Sequence, residues 1–222
     1  MDEQTYRIER YVTREYDQNA YILQRAGRMD AIVFDPGYEL SGLLSRVQAD
    51  GLELAAIVNT HGHLDHIAGN AALKALDPRV PIWIGRNDAN MLTDPEANLS
   101  LHLGEPVVSP PADREIDDGE VVEVADFRFE AREVPGHSPG SLVFVAFEES
   151  PPFAISGDVI FRGSVGRTDF PGGSHQRLIA GIRAKVLTLP DDLILYPGHG
   201  PATTVSRERD GNPFLTGQGP GE

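Results

Sequence analysis

The chain has 222 residues, 40% of them hydrophobic and 24% charged, an ordinary composition for a globular protein long enough to bury one sizeable core. It has no cysteine, which excludes disulfides, a thiol nucleophile and any thiolate metal site; a metal here must rest on His, Asp or Glu, ligands that suit zinc, iron or manganese. Its 34 acidic and 19 basic residues give a formal charge of −15, which repels phosphodiester backbones and argues against nucleic acid as a partner.

The N-terminus carries no apolar targeting segment. No apolar run approaches the roughly 18–20 residues needed to span a bilayer. The expectation is a cytoplasmic chain without membrane contact. Tyr6–Thr13, Ala20–Gln24 and Ala31–Phe34 are rich in β-branched and aromatic residues and are separated by turn formers, so they read as strands. Asp35-Pro36-Gly37 ends the third. Glu39–Ala49 has Leu40, Leu43, Leu44 and Val47 at helical spacing. Leu54–Asn59 is a continuous apolar run, as in a strand buried on both faces. A helix is expected over Ile67–Leu76, stopped by Asp77-Pro78, and a strand over Val80–Ile84. Residues 87–118 read as mixed helix and loop, and Val121–Val134 as a bent strand or hairpin. Strands follow at Ser141–Phe147, Phe153–Ser156 and Leu193–Tyr196, with a glycine-rich connection at Gly163–Gly173 and an amphipathic helix at Gln176–Leu187. The Gly/Pro-rich tail from about Gly211 is expected to fray. Two sheets with helices outside fit this order, as do other α/β arrangements.

Chemistry concentrates in the segment Thr60-His61-Gly62-His63-Leu64-Asp65-His66, placed between a buried strand and a helix. Residues i and i+2 of a turn-like segment can face one cavity, so His61 and His63 can grip one ion. Asp65 and His66 then reach a second, a few ångströms away, as in two-metal hydrolytic sites. Further candidates sit beside glycines next to strands: His137 in Pro135-Gly136-His137-Ser138-Pro139-Gly140, Asp158 in Ser156-Gly157-Asp158, and His199 in Pro197-Gly198-His199-Gly200. Five His and two Asp match the ligand demand of a dinuclear site. His102 and His175 lie outside this pattern and are expected to be uninvolved.

The ordered set Thr60–His66, Gly136-His137, Gly157-Asp158 and Gly198-His199 resembles the metallo-β-lactamase superfamily pattern over nearly the whole chain. The resemblance implies a single α/β (α+β) domain over residues 1–222, a four-layer αββα sandwich. It implies two divalent metal ions, zinc first and iron or manganese as alternatives. His61, His63 and His137 would hold one, Asp65, His66 and His199 the other, and Asp158 would bridge. Asp65 and Asp158 are the candidate catalytic carboxylates. β-Lactamase activity is not expected, because the true β-lactamases usually carry Cys near the Asp158 position. Gly166-Arg167-Thr168-Asp169, the Pro-Gly-His-Ser-Pro-Gly-Ser run and Asn212-Pro213-Phe214-Leu215 are similar to glyoxalase II (hydroxyacylglutathione hydrolase) proteins of a short bacterial branch. That branch implies a small-molecule thioester substrate, S-lactoylglutathione or a related S-acyl thiol, attacked by hydroxide that the metals supply. The chain stops 23 residues after His199, so a helical C-terminal glutathione-binding domain is not expected. The alternative is a mononuclear iron persulfide dioxygenase of the same fold, with His61, His137 and Asp158 as its ligands. Asp169 and Asp35 are candidates for orienting a ligand histidine, and Arg167 for approaching an anionic substrate. Nothing in the sequence sets the oligomeric state.

Overall fold

The computed structural model describes residues 5–217. Six strands form the first sheet in the order β1 (Tyr6–Val12), β2 (Asn19–Arg25), β3 (Asp30–Phe34), β4 (Glu53–Val58), β5 (Ile82–Gly85) and β6 (Arg114–Ile116). The first three pair antiparallel and the last four parallel. The second sheet holds β7 (Val121–Val124), β8 (Phe127–Glu133), β9 (Leu142–Ala146), β10 (Phe153–Gly157), β13 (Ile194–Pro197) and β14 (Thr203–Thr204), with only β10 and β13 parallel. A small hairpin, β11 (Ile160–Phe161) and β12 (Ser164–Val165), interrupts it in sequence.

Strand alternation explains why both sheets are covered on both faces. Tyr21, Leu23, Ile32, Phe34, Phe144 and Phe153 point between the sheets and form the central core. Their sequence neighbours Ile22, Ala31 and Val33 face outward beneath α1 (Ser41–Ala49) and α3 (Asn70–Leu76). Val143, Val145 and Ala154 face outward beneath α4 (His175–Gly181). The result is the expected helix–sheet–sheet–helix sandwich. Among the described residues no helix is long and apolar enough to cross a membrane.

Several expected elements differ in form. The helix expected over Ile67–Leu76 is two pieces, α2 (Leu64–Ile67) and α3. Asn59 Nδ2 donates to the His66 carbonyl at 3.0 Å, and Gly69 N–H donates to the Pro36 carbonyl at 2.7 Å. These two groups are thereby taken out of an uninterrupted helical ladder. The helix expected over Gln176–Leu187 is α4 continued as a wider π turn over Ile182–Val186. Strand β6 lies in the stretch read as helix and loop; three residues with two charged side chains carry little strand signal. Fraying does not begin at Gly211. Helices α5 (Val205–Gly211) and α6 (Pro213–Thr216) fold back on the second sheet, with Asn212 and Leu215 buried. The remainder of the tail lies outside the described residues.

Candidate metal centre

All seven candidate ligands lie just beyond strands at one edge of the sandwich, Asp65 and His66 on the short helix α2 and the rest on loops. His61–His66 follow β4, His137 follows β8, Asp158 follows β10 and His199 follows β13. The edges of the two sheets are sewn together there. Asn19 N–H donates to the Gly198 carbonyl at 2.7 Å, and Leu142 N–H to the Thr60 carbonyl at 2.8 Å. Gly198 has no alternative: a Cβ there would overlap Asp158 Oδ1.

Three groups of ligand atoms each lie within 4.8 Å of one another: His61, His63 and His137; Asp65, His66 and His199; and His61, His66 and Asp158. The third group joins the other two. In the first, His137 Nε2 stands 2.8 Å from His63 Nδ1 and 3.2 Å from His61 Nε2. Tautomers follow from the outer partners. His137 Nδ1 lies 2.8 Å from the Arg167 carbonyl, which can only accept, so Nδ1 donates and Nε2 keeps its lone pair. Thr60 Oγ1 gives its proton to Asp35 Oδ2, so His61 Nδ1 donates to Thr60 Oγ1 at 3.1 Å and again Nε2 is left bare. Bare nitrogens facing each other repel unless a cation lies between them. A tetrahedral ion with metal–nitrogen bonds of about 2.0–2.1 Å separates its nitrogens by roughly 3.3 Å, close to the spacing here.

The second group answers the same test. His66 is fully buried; its Nδ1 donates to Asp35 Oδ2 at 3.0 Å, so Nε2 is the free atom. Neither His66 Nε2 nor Asp158 Oδ1 has a hydrogen-bond partner, and they face each other at 3.4 Å. Two buried orphans of this kind fit shared cation ligands. His199 Nε2 lies 3.3 Å from Asp65 Oδ2 and 3.4 Å from Asp158 Oδ2. Asp158 Oδ2 is also 3.5 Å from His137 Nε2, so this one carboxylate reaches both groups.

Electrostatics divide the histidines in two. Burial holds His61 well below its ordinary value and His63 down to about 3, helped by neighbouring imidazoles, and lowers His137. These three are neutral, as metal ligation requires. Burial also opposes charge on His66 and His199, but the Asp65 and Asp158 carboxylates overcome it. They raise His66 far above its usual range and His199 to about 10. Burial would raise Asp65 and Asp158, yet His66 foremost brings both down. Positive charge is therefore drawn to the point between these carboxylates. No Lys or Arg is paired with either among the described residues.

Asp35 lies where a residue orienting a ligand should. It sits at the end of β3 in left-handed backbone (φ 47°) and accepts from Thr60 N–H and Thr60 Oγ1, both at 2.7 Å, besides His66. Asp169 does not. Its carboxylate is exposed and pairs with Arg167 at 2.8 and 3.0 Å, and the Arg167 carbonyl is the group that orients His137. The reason is local: a charged partner two residues away outcompetes a buried imidazole. His175 opens α4 and belongs to no ligand group. His102, expected to be uninvolved, lines the cleft above the site although it belongs to no ligand group.

Asp88 escaped the sequence reading. It is fully buried on the 3-10 turn Arg86–Leu92 that follows β5. Its carboxylate accepts from Gly62 N–H at 3.2 Å, Ser138 Oγ at 2.6 Å and Gly140 N–H at 2.6 Å. It thus ties the loop carrying His61 and His63 to the loop carrying His137. A Cβ at Gly140 would stand 2.8 Å from Asp88 N, so glycine permits the approach. The available signal was an acidic residue just beyond a parallel strand of the first sheet.

Comparison with known proteins places the chain in a family. The family model for the metallo-β-lactamase superfamily matches residues 13–199. Hydroxyacylglutathione hydrolase GloC of Haemophilus influenzae is 38% identical over 188 residues, covering 84% of this chain and 87% of that protein. Among solved structures, BLEG-1 B3 metallo-β-lactamase superposes with a TM-score of 0.89 at 36% identity, over 95% of this chain and 100% of that one. TTHA1623, solved in a di-iron-bound form, gives 0.80 at 33% identity over 93% and 100%.

Proposed function

The chain belongs to the metallo-β-lactamase superfamily, and from that premise we propose that it is a metal-dependent thioester hydrolase of the glyoxalase II-like kind, cleaving S-acyl thiols such as S-lactoylglutathione. The observation that carries the reading is the pair of three-residue ligand groups joined by Asp158 at the floor of one cleft. The likeness to a hydroxyacylglutathione hydrolase at 38% identity supports the thioester class.

Two divalent ions, zinc foremost, would be held by His61, His63 and His137 and by Asp65, His66 and His199, with Asp158 shared; such ions supply a nucleophilic water of lowered pKa and polarise a carbonyl. The protein's own contribution is alignment. Thr60 and the Arg167 carbonyl take the outer protons of His61 and His137, and Asp35 takes that of His66, so each ring presents its lone pair inward. Asp65 and Asp158 both reach the cleft, and in this reading they would receive the proton of the attacking water. The thiolate product is a good leaving group and needs little help from an acid.

The test is metal analysis of the purified protein, followed by thiol release from a thioester panel after loading with zinc, iron or manganese. Thiol release that tracks metal content is the expected result. A β-lactam is assayed alongside by loss of its ring absorbance, since its hydrolysis breaks an amide and frees no thiol; it is included because a B3 enzyme is among the similar structures. Oxygen uptake on glutathione persulfide without thiol release from any thioester would replace this reading with the dioxygenase.

A further inference from the structure

The cleft above the ligand groups has a volume of about 690 Å³, and its two walls are mostly apolar, with His102, Ser164 and Arg167 among the polar exceptions. On one side Tyr16, stacked on Tyr38 at 5.3 Å, stands with Leu99 and Leu103. Leu99 is held in left-handed backbone (φ 71°) and is nearly buried. That conformation is costly for a leucine. It is fixed by Asn98, whose carbonyl accepts from Leu64 N–H and whose side chain donates to the Met91 and Val107 carbonyls. On the other side are Phe161, Val165 and Phe170. Phe161 packs edge-on against His199 at 5.8 Å and Phe170 against His63 at 5.3 Å, so each phenyl ring adjoins one of the two ligand groups. Leu103 is 57% exposed at the rim, an apolar side chain of the wall still open to water.

Cationic groups are scarce in these walls. Among the described residues Arg167 is the one arginine in the lining and no lysine is there; its guanidinium is already engaged by the Asp169 carboxylate and laid over Phe170 at 4.3 Å. Glutathione brings two carboxylates, which would meet a neutralised arginine on a chain of charge −15. An alkyl arm would instead lose its water against leucine and phenyl surface.

Resting on the thioester reading above, we infer that the preferred substrate carries an uncharged apolar arm of several carbons, seated between the turn 99–103 and the β11–β12 hairpin, in place of the glutathione moiety. The arm belongs to either the acyl or the thiol half, and the assay separates the two.

The experiment uses the zinc-loaded full chain and reads binding apart from hydrolysis. Calorimetry compares S-butyl, S-hexyl and S-octyl thioethers of N-acetylcysteamine with the S-alkylglutathiones of equal length. The expected result is a Kd that tightens about two- to fourfold per methylene, the range for partial to full burial of each CH₂, with the uncharged series binding at least as tightly. Leu103→Glu, at a half-exposed position that folding does not depend on, should flatten the length dependence while leaving metal content unchanged. Tighter glutathione conjugates at every length, or a Kd indifferent to chain length, overturns the inference. Thiol release from acyl series of matching length, on N-acetylcysteamine and on glutathione, then identifies which half holds the arm. If the binding trend holds and no thioester is cleaved, the hydrolase reading fails and the apolar site stands; if S-lactoylglutathione is the best substrate, the reverse is true.

Discussion

Asp88 shows how one side chain controls both halves of the first ligand group without touching a ligand. Burial pushes its carboxyl from 3.8 up to about 6. The folded chain then holds this proton more firmly than the unfolded chain. Its contribution to stability is therefore full below pH 4 and is lost as pH rises through 6. In urea unfolding of metal-free protein, the stability of wild type relative to Asp88→Asn should decline by up to about 3 kcal/mol between pH 4 and pH 6.5, two pKa units at 1.36 kcal/mol each. Asp35→Ala removes the acceptor that fixes His66; metal affinity at the second group should fall about 10- to 100-fold by competition with a chelator. Asp158→Ala should deplete both ions together, because its two oxygens face both groups. His102→Ala should leave metal content unchanged and move KM, since His102 meets the cleft and no ligand.

At the level of elements, the site depends on supports far from it in sequence. Glu208 on α5 is buried, and its carboxylate accepts from Gly163 N–H at 2.8 Å, Asn212 Nδ2 at 2.9 Å and the Thr203 hydroxyl. Asn212 Nδ2 also donates to the Ser164 carbonyl at 2.9 Å. The β11–β12 hairpin, which supplies Phe161 and Val165 to the cleft wall, is thereby anchored on the C-terminal helices. Glu208→Ala leaves three donors unanswered, at a cost of roughly 1–3 kcal/mol each before water relieves them. The expected outcome is a lowered melting temperature and a raised KM for thioester with zinc content near wild type. A metal loss equal to that of Asp158→Ala would mean the helices support the ligand loops directly.

For the whole molecule, the two sheets share one central core and cannot part without exposing it. Phe144 packs edge-to-face with Phe34 at 5.7 Å across the sheet interface and is fully buried. Phe144→Ala should cost about 3–5 kcal/mol. Calorimetry of the metal-free chain should show one cooperative transition, both before and after the change. Two separable transitions would mean that each half, with its own outer helices, folds alone.

The sequence by itself determined the elements with strong local signals and picked out the candidate ligands that the fold brings together. The β-branched and aromatic runs at Tyr21–Leu23 and Ile32–Phe34 dictate strands, and a cluster such as His61-Gly62-His63-Leu64-Asp65-His66 betrays metal chemistry, because few other demands place so many donors together. Tertiary structure decided what depends on neighbours brought from afar. Asn59 and Pro36 capture the backbone groups that split the helix after His66. Arg167 contributes its carbonyl to His137 while its guanidinium claims Asp169. Asp88 becomes the tie between ligand loops only once β5 lies beside β4. His102 reaches the cleft because the turn around Leu99 is pinned to Leu64. A local pattern fixes which face a residue presents; which partner meets that face is set by packing, where hydrogen bonds and burial between distant segments outweigh local preference.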